Sequence, residues 1–272
     1  MLASLTAQAE GQFGLIGVAL FLGLAIWETL RPARMATGRL SWRWTANIGF
    51  YVVNLLLFSL VVTPDRIVSL LGADRAGVNG PVAEIGRVAG EWPVLICGVL
   101  ISELFLYAAH RVEHRIAILW RLHIVHHSDS ELDATTGFRH YPLESAMHVV
   151  IGTAIFVALG VPAWVGVASG IASYVVGVTQ HANVRVFSPR VDRALQWVLV
   201  TPDMHRIHHS VRPADHDSNY GNILSIWDHL FGTYRAASGA EHAAMAFGIA
   251  QLHDDGAARP DRVFLQPFRL PR

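Results

Sequence analysis

The sequence predicts an all-α integral membrane protein of about four spans, three plus a helical hairpin, with a histidine-rich helical cap on the cytoplasmic side. Three observations carry this reading. Of the 272 residues, 52% are apolar and only 15% are charged, where an ordinary soluble domain carries about 25% charge. Four stretches run free or nearly free of charge over membrane-scale lengths. Nine of the 15 histidines fall in four tight segments that close or follow those stretches. Composition excludes other classes. Disorder needs low hydrophobicity and high charge. A disulfide framework needs more than the single Cys97. The 21 basic residues, all Arg, balance 21 acidic ones, so no nucleic acid partner is implied.

Each apolar stretch reads as an element in turn. Residues 13–27 end at Glu28, Arg31 and Pro32. No Lys or Arg precedes them and no small-residue cleavage site follows, so a retained span is expected rather than a secretory signal. Residues 46–63 read as a second span, ended by Pro64, Asp65 and Arg66. Residues 92–109 read as a third, with one acid, Glu103, near the middle. Residues 145–180 carry no Asp, Glu, Lys or Arg, and Gly160-Val161-Pro162 lies near their centre. Proline lacks an N–H and breaks a helix interior, so this stretch predicts a tight hairpin.

Loop charges orient the chain. Arg31, Arg34, Arg39 and Arg43 follow the first stretch with no acid among them. Arg66, Arg75 and Arg87 between the second and third are mixed with Asp65, Asp74, Glu84 and Glu91. The positive-inside rule places the first loop in the cytoplasm. Residues 110–142 and everything from His181 onward then share that side, which collects eighteen of the 21 Arg. The chain divides accordingly into N-terminal spans (1–109), a first histidine region (110–142), the hairpin (143–180), a second histidine region (181–234) and a C-terminal tail (235–272).

The histidine spacings are chemical. His110 and His114 stand at i and i+4. His123, His126 and His127 form an H-x2-H-H triple, as do His205, His208 and His209, and His181 closes the hairpin. Residues three and four apart share a helix face, at about 5–6 Å between Cβ atoms. Such pairs can reach one ion at about 2.0–2.1 Å. The adjacent pair in each triple diverges and can serve two ions. Nine imidazoles exceed the octahedral shell of one ion, so a cap that binds two metals is the economical inference. Imidazole suits Zn, Cu, Fe and Ni rather than Mg or Ca, and spacing does not choose among the four. His148, His216, His229, His242 and His253 read as ordinary polar residues.

In order and spacing these motifs resemble those of the fatty acid hydroxylase superfamily, also called the sterol desaturase family, as a single domain over about residues 100–234. The matching blocks are Glu103, Tyr107, His110, Arg111 and His114, then Trp120, His123, His126, His127 and Ser128, then Gln180, His181, Ala182 and Asn183. Pro202, His205, His208 and His209 follow, and the signature closes with Asn219-Tyr220-Gly221, Trp227-Asp228 and Phe231-Gly232-Thr233. Two departures stand out. Glu103 takes the place of the family's Asp. Tyr141, preceded by His140, takes the place of a family His in Arg139-His140-Tyr141-Pro142-Leu143-Glu144.

The resemblance implies a membrane-bound di-iron oxygenase. It would use dioxygen as co-substrate to hydroxylate or desaturate an apolar lipid (fatty acyl, sterol-like or carotenoid) in lipid biosynthesis. The nine histidines would hold two iron ions at the cytoplasmic face of a bacterial-type inner membrane. Electrons would come from a ferredoxin, a reductase or a small b-type cytochrome, because the chain has neither a cysteine cluster nor a G-x-G-x-x-G. Groups behind the ligands usually orient them by accepting the second ring N–H. Glu103, Tyr107, Glu113, Asn183, Asp203, Asn219, Tyr220 and Asp228 are expected there, with Glu103 either against the metals or paired with Arg111. The alternatives are a zinc-dependent membrane hydrolase with Glu113 as base, or a metal- or haem-binding membrane protein without activity. Nine histidines without an H-E-x-x-H disfavour the first, and ligands beyond the span ends disfavour the second. No motif encodes the substrate-binding residues.

Overall fold

A computed structural model describes residues 1–36, 40–71, 79–252 and 258–269; Arg39, Asp74, Arg75 and His253 lie outside them. In chain order the helices are α1 (Leu2–Leu30), α2 (Leu40–Leu60), α3 (Pro64–Leu70), α4 (Pro81–Ala89), α5 (Glu91–Arg115), α6 (Ala117–His127) and, after a 3-10 turn at Ala134–Phe138, the hairpin α7 (Pro142–Leu159) and α8 (Ala163–His181). The shorter α9 (Pro189–Leu195), α10 (Pro202–His208), α11 (Pro213–His216), α12 (Ile226–Leu230), α13 (Gly239–Ala244) and α14 (Pro260–Arg269) follow. Among the described residues only two isolated bridges, Leu199 to Leu224 and Ser210 to Phe247, have β pairing.

Among the described residues, four segments are long and apolar enough to cross a membrane: Gly11–Leu30, Glu91–Arg115, Pro142–Leu159 and Ala163–His181. Leu15, Ile26, Ile96 and Ile151 stand exposed along them, a surface suited to lipid rather than water. The last two are the arms of the expected hairpin. Gly160 ends α7 in the left-handed region, at φ 69°. A Cβ there would lie 2.8 Å from the Cα of Gly80, so the hairpin turn rests directly on the approach to α4. Gly98 lets α5 and α8 touch, since a Cβ would sit 2.4 Å from Val165 Cγ1.

The stretch read as the second span lies in α2, a helix of 21 residues with polar groups at helical spacing along one face. Arg43 and Asn47 are buried, and Asn54 donates to the His140 carbonyl at 2.9 Å. Arg43 Nε reaches Asp129 Oδ1 at 2.6 Å, and Asn47 donates to Asp129 at 3.1 Å and to Thr135 at 2.9 Å. Arg139, fully buried, donates to the Val125 carbonyl at 2.7 Å, to Asn47 at 3.1 Å and to Ser128 at 2.6 Å. This face of α2 therefore clamps the segment that leaves α6. The paired cations hold the Asp129 carboxyl below its usual range although burial pushes the other way.

The segment read as a tail contains α13 and α14. Helix α14 lies on α6 and α2, with Val263 buried, Phe264 stacked on Phe50 at 4.0 Å, and Gln266 accepting from Ser128 at 2.7 Å.

Candidate metal centre

Four helix C-termini converge at the cap end of the bundle. His110 and His114 occupy the last turns of α5, His126 and His127 the last turn of α6, His181 the end of α8, and His205 and His208 helix α10, with His209 as its C-cap. The carbonyl ends of helices carry partial negative charge, so this convergence favours a cation.

The nine imidazoles sort into two sets. His110, His114, His123, His127 and His208 form one, and His126, His181, His205 and His209 the other; within each, one ring nitrogen per residue lies within 4.8 Å of the rest. Each H-x2-H-H triple is split between the sets. The His126 and His127 rings stand at 90° and the His208 and His209 rings at 88°, so neighbours in sequence aim apart.

The Nε2 atoms face one another. His123 to His127 is 3.1 Å, His181 to His205 2.9 Å, His181 to His209 3.2 Å, His181 to His126 3.3 Å and His205 to His209 3.1 Å. Two nitrogens bound at right angles to one ion, each at about 2.1 Å, lie about 3 Å apart. The Nε2 atoms of His110 and His208 are buried with no hydrogen-bond partner among the described residues. Buried lone pairs facing each other are costly unless a cation lies between them. The donor set therefore fits a pair of imidazole-loving metal ions.

Tautomers follow from the other ring nitrogen. Nδ1–H of His110 donates to the Tyr220 carbonyl at 2.9 Å, that of His208 to Ser218 at 2.7 Å and that of His181 to Gly177 at 2.5 Å. His123 donates to Glu144 at 3.0 Å and His114 to Asp217 at 3.3 Å. Each bond leaves Nε2 as the free lone pair. Burial pushes the His126, His127, His205, His208 and His209 imidazoles well below the usual histidine range, and neighbouring imidazoles push the same way. They are neutral near pH 7, as ligands must be. His123 goes the other way: burial lowers it, but the Glu144 carboxylate beside it prevails.

The residues expected behind the ligands divide. Tyr220 supplies the carbonyl that holds His110. Glu113 is buried, 2.7 Å from His148 Nε2 and 3.6 Å from His123 Nδ1. Glu103 reaches neither the histidines nor Arg111. It accepts from the backbone of Ile223 and Leu224 at 2.6 and 3.0 Å and from Asn222 at 3.1 Å, which offsets the burial of an acid inside a span. Asp228 accepts from the Tyr220 and Gly221 backbone, both at 2.8 Å, and from Thr233 at 2.7 Å; Tyr107 lies 2.9 Å from that Thr233 hydroxyl. Asn219, at φ 55°, bonds Met204 and Arg235. Together these clasp the turn that presents the Ser218 and Tyr220 carbonyls. Asn183 binds the Arg34 backbone and Asp203 pairs with Arg206 at 2.5 Å, both away from the ligands.

Sequence reasoning did not single out Glu144 or His216, and it raised His140 only as a substitute for the family histidine that Tyr141 replaces. Glu144 is buried and also accepts from His140 Nδ1 at 3.3 Å. His140 stacks on His126 at 4.4 Å, while Tyr141 caps α7 and packs on Phe50. Glu144 stood inside a quoted motif. His216 sits in a polar loop with no local signal, and His229 stacks on Trp197 at 4.7 Å, away from the ligands.

Comparison with known proteins places this geometry in context. The family model described as fatty acid hydroxylase matches residues 95–233, just over half of the chain. Ornithine lipid hydroxylase OlsE of Rhizobium tropici is 33% identical over 147 residues, 53% of this chain and 43% of its own. Alkylglycerol monooxygenase of Caenorhabditis elegans is 29% identical over 149 residues, 53% of this chain and 27% of its own. Very-long-chain aldehyde decarbonylase GL1-1 of Oryza sativa subsp. indica is 29% identical over 178 residues, 61% of this chain and 26% of its own. The matched region thus spans less than half the length of these curated relatives. No solved structure matches.

Proposed function

The chain belongs to the fatty acid hydroxylase family, and from that premise we propose that it is a membrane-bound di-iron oxygenase acting on a lipid. The observation that carries this reading is the pair of buried imidazole sets with their Nε2 atoms turned inward. Two irons there would supply the dioxygen-activating chemistry that an unactivated C–H bond requires. The nine histidines are the proposed ligands. Glu144, Asp217 and the Gly177, Ser218 and Tyr220 carbonyls orient them, and burial keeps bulk water from the centre.

The relatives' names favour oxygen insertion into a lipid that joins a long apolar chain to a polar head. Such a lipid would lie in the leaflet beside the cap end of the spans, with the cap in the cytoplasm. In hydroxylation one oxygen atom enters the C–H bond and the other leaves as water, consuming two electrons and two protons. An external one-electron carrier completes the balance. The domain proposed to do this is about residues 100–234.

Metal content per chain, measured by mass spectrometry on protein purified in detergent without added metal, tests the reading. Near two irons supports it. One zinc favours a hydrolase, and a Soret band favours a haem carrier. Two zincs call for anaerobic iron reconstitution, after which incorporation of labelled oxygen gas into a lipid decides.

A further inference from the structure

The second histidine region carries a lobe with no part in the ligand set. Residues 196–200 and 223–225 run side by side: Val200 N–H donates to the Ile223 carbonyl at 2.8 Å and Ser225 N–H to the Val198 carbonyl at 3.1 Å. Helix α12 follows. The lobe is tied to two spans. The Ile223 and Leu224 N–H groups reach Glu103 of α5 at 2.6 and 3.0 Å. Asn222 donates to Glu103 at 3.1 Å and to Ser173 of α8 at 3.0 Å. Phe231 stacks on Tyr107 of α5 at 5.4 Å and 18°.

These ties fix a depth. Glu103 stands twelve residues from either end of α5, the 25-residue segment Glu91–Arg115. At about 1.5 Å per residue that helix is about 37 Å long, with Glu103 about 18 Å from each end. A hydrocarbon core about 30 Å thick therefore encloses Glu103 wherever along α5 it falls. The lobe bonded to Glu103 shares that level.

Its surface suits the level. No Asp, Glu, Lys or Arg occurs in residues 196–202 or 221–227. Trp197 and Leu230 are each 68% exposed and Val198 is 54% exposed, and Leu199 and Phe231 are exposed as well. The acid of α12, Asp228, is fully buried against the Tyr220 and Gly221 backbone. Non-helical backbone is tolerated at membrane depth only where its polar groups are satisfied within the protein. Here Glu103 takes two of the N–H groups, and the Gln196 carbonyl accepts from the Ser225 hydroxyl at 2.7 Å and from His229 at 2.9 Å. An exposed apolar face with a paired backbone, anchored inside a span, matches acyl chains rather than water.

We propose that residues 196–200 and 223–231 form a re-entrant lobe set into the bilayer from the cap side, with Trp197, Val198, Leu230 and Phe231 against lipid acyl chains. The proposal rests on the membrane-spanning reading of α5 and α8. The lobe seats the metal cap, because Asp228 clasps the turn whose Tyr220 carbonyl holds His110.

Nitroxide labels on the full chain in nanodiscs test this. Cys97, the single cysteine, is first replaced by Ala. Val198→Cys and Leu230→Cys then carry the label one at a time. Ile96→Cys and Ile151→Cys, at exposed span positions, serve as lipid references, and Arg212→Cys, at a side chain 60% in solvent, as the water reference. Power saturation compares collisions with oxygen, which concentrates in lipid, and with a nickel chelate, which stays in water. The Val198 and Leu230 labels are expected to match the span references, with the oxygen-to-nickel ratio several-fold above that at Arg212. A ratio equal to that at Arg212 overturns the proposal. So does shielding from both agents with dipolar coupling between chains, which makes this face a contact between two copies. Nickel access at Ile96 and Ile151 defeats the spanning reading, and the lobe with it. Val198→Asp combined with Leu230→Asp gives a label-free check. Polar substitution of a water-facing side chain is close to neutral, whereas in lipid the pair should lower the thermal midpoint in nanodiscs by several degrees. A midpoint equal to the wild type's overturns the proposal.

Discussion

Glu144 holds one ligand in place and leaves one of its own oxygens, Oε2, without a hydrogen-bond partner among the described residues. Replacing it with Ala frees the His123 ring and strands a buried Nδ1–H. Loss of such an orienting partner weakens metal binding by about 10–100-fold, a change that chelator competition will read. Glu144→Gln should fall less, because its amide oxygen still accepts. The division into two sets makes a second prediction. On the di-iron reading, His127→Ala and His126→Ala each lower the metal count from two toward one. Combining His127→Ala with His114→Ala, both in one set, leaves that one ion, whereas combining His127→Ala with His126→Ala leaves none. Equal counts for the two double variants would sink the assignment. The clustering of the nine histidines was legible in the sequence because i, i+3 and i+4 spacing is local helix geometry. The orienting groups were mostly not, since the Gly177, Ser218 and Tyr220 carbonyls are backbone atoms that no residue type announces. Glu103 was placed wrongly against the metals or Arg111 for a related reason: its partners, Ile223 and Leu224, lie some 120 positions away and offer only N–H groups.

At the scale of elements, the clamp between α2 and the segment leaving α6 fixes the height of the histidines in the cap. Arg43 and Asp129 are 2% and 1% exposed, and Asp133 also lies 2.9 Å from the guanidinium. Arg43→Met takes the paired cation from Asp133 and the nearer of its two cations from Asp129. Breaking a buried pair from one side costs about 3–5 kcal/mol, so the thermal midpoint in detergent should drop sharply. Adding Asp129→Leu should recover part of the loss, and a single variant that melts with the wild type contradicts the clamp. The hairpin and the first and third spans were readable because long apolar stretches with at most one charge have one physical reading. Helix α2 was readable as a helix but not in its setting. Arg43, Asn47 and Asn54 mark one face at near-helical spacing, and only tertiary contact shows that the face meets protein. Helix α14 was missed as part of the body because it is only ten residues long and carries Pro267 inside, so its amphipathic pattern passed for a tail.

At the scale of the whole molecule, the cap and the hairpin turn lie at opposite ends of the spans, so one orientation sets the exposure of both. With the cap inside, a cysteine placed at Arg121 should resist an impermeant maleimide in intact cells, while one at the exposed Val88 of α4 should label; the reverse pattern would invert the topology. Stability against pH follows from the cap as a unit. His126, His127, His205, His208 and His209 have pKa values lowered by burial, while in the unfolded chain histidine titrates near about 6.5. Below that pH the unfolded chain takes up protons that the folded cap refuses, so stability falls as pH falls and is fully retained above it. His123, raised beside Glu144, opposes this, but it is one group against five. The metal-free protein should therefore melt at a steady temperature above about pH 7 and at progressively lower temperatures between about pH 6.5 and 5. The loaded protein should release its ions over the same window, because protons compete for the Nε2 lone pairs. A thermal midpoint that stays level down to pH 5 would show that these imidazoles are already protonated or solvated when folded, which a buried ligand set does not allow.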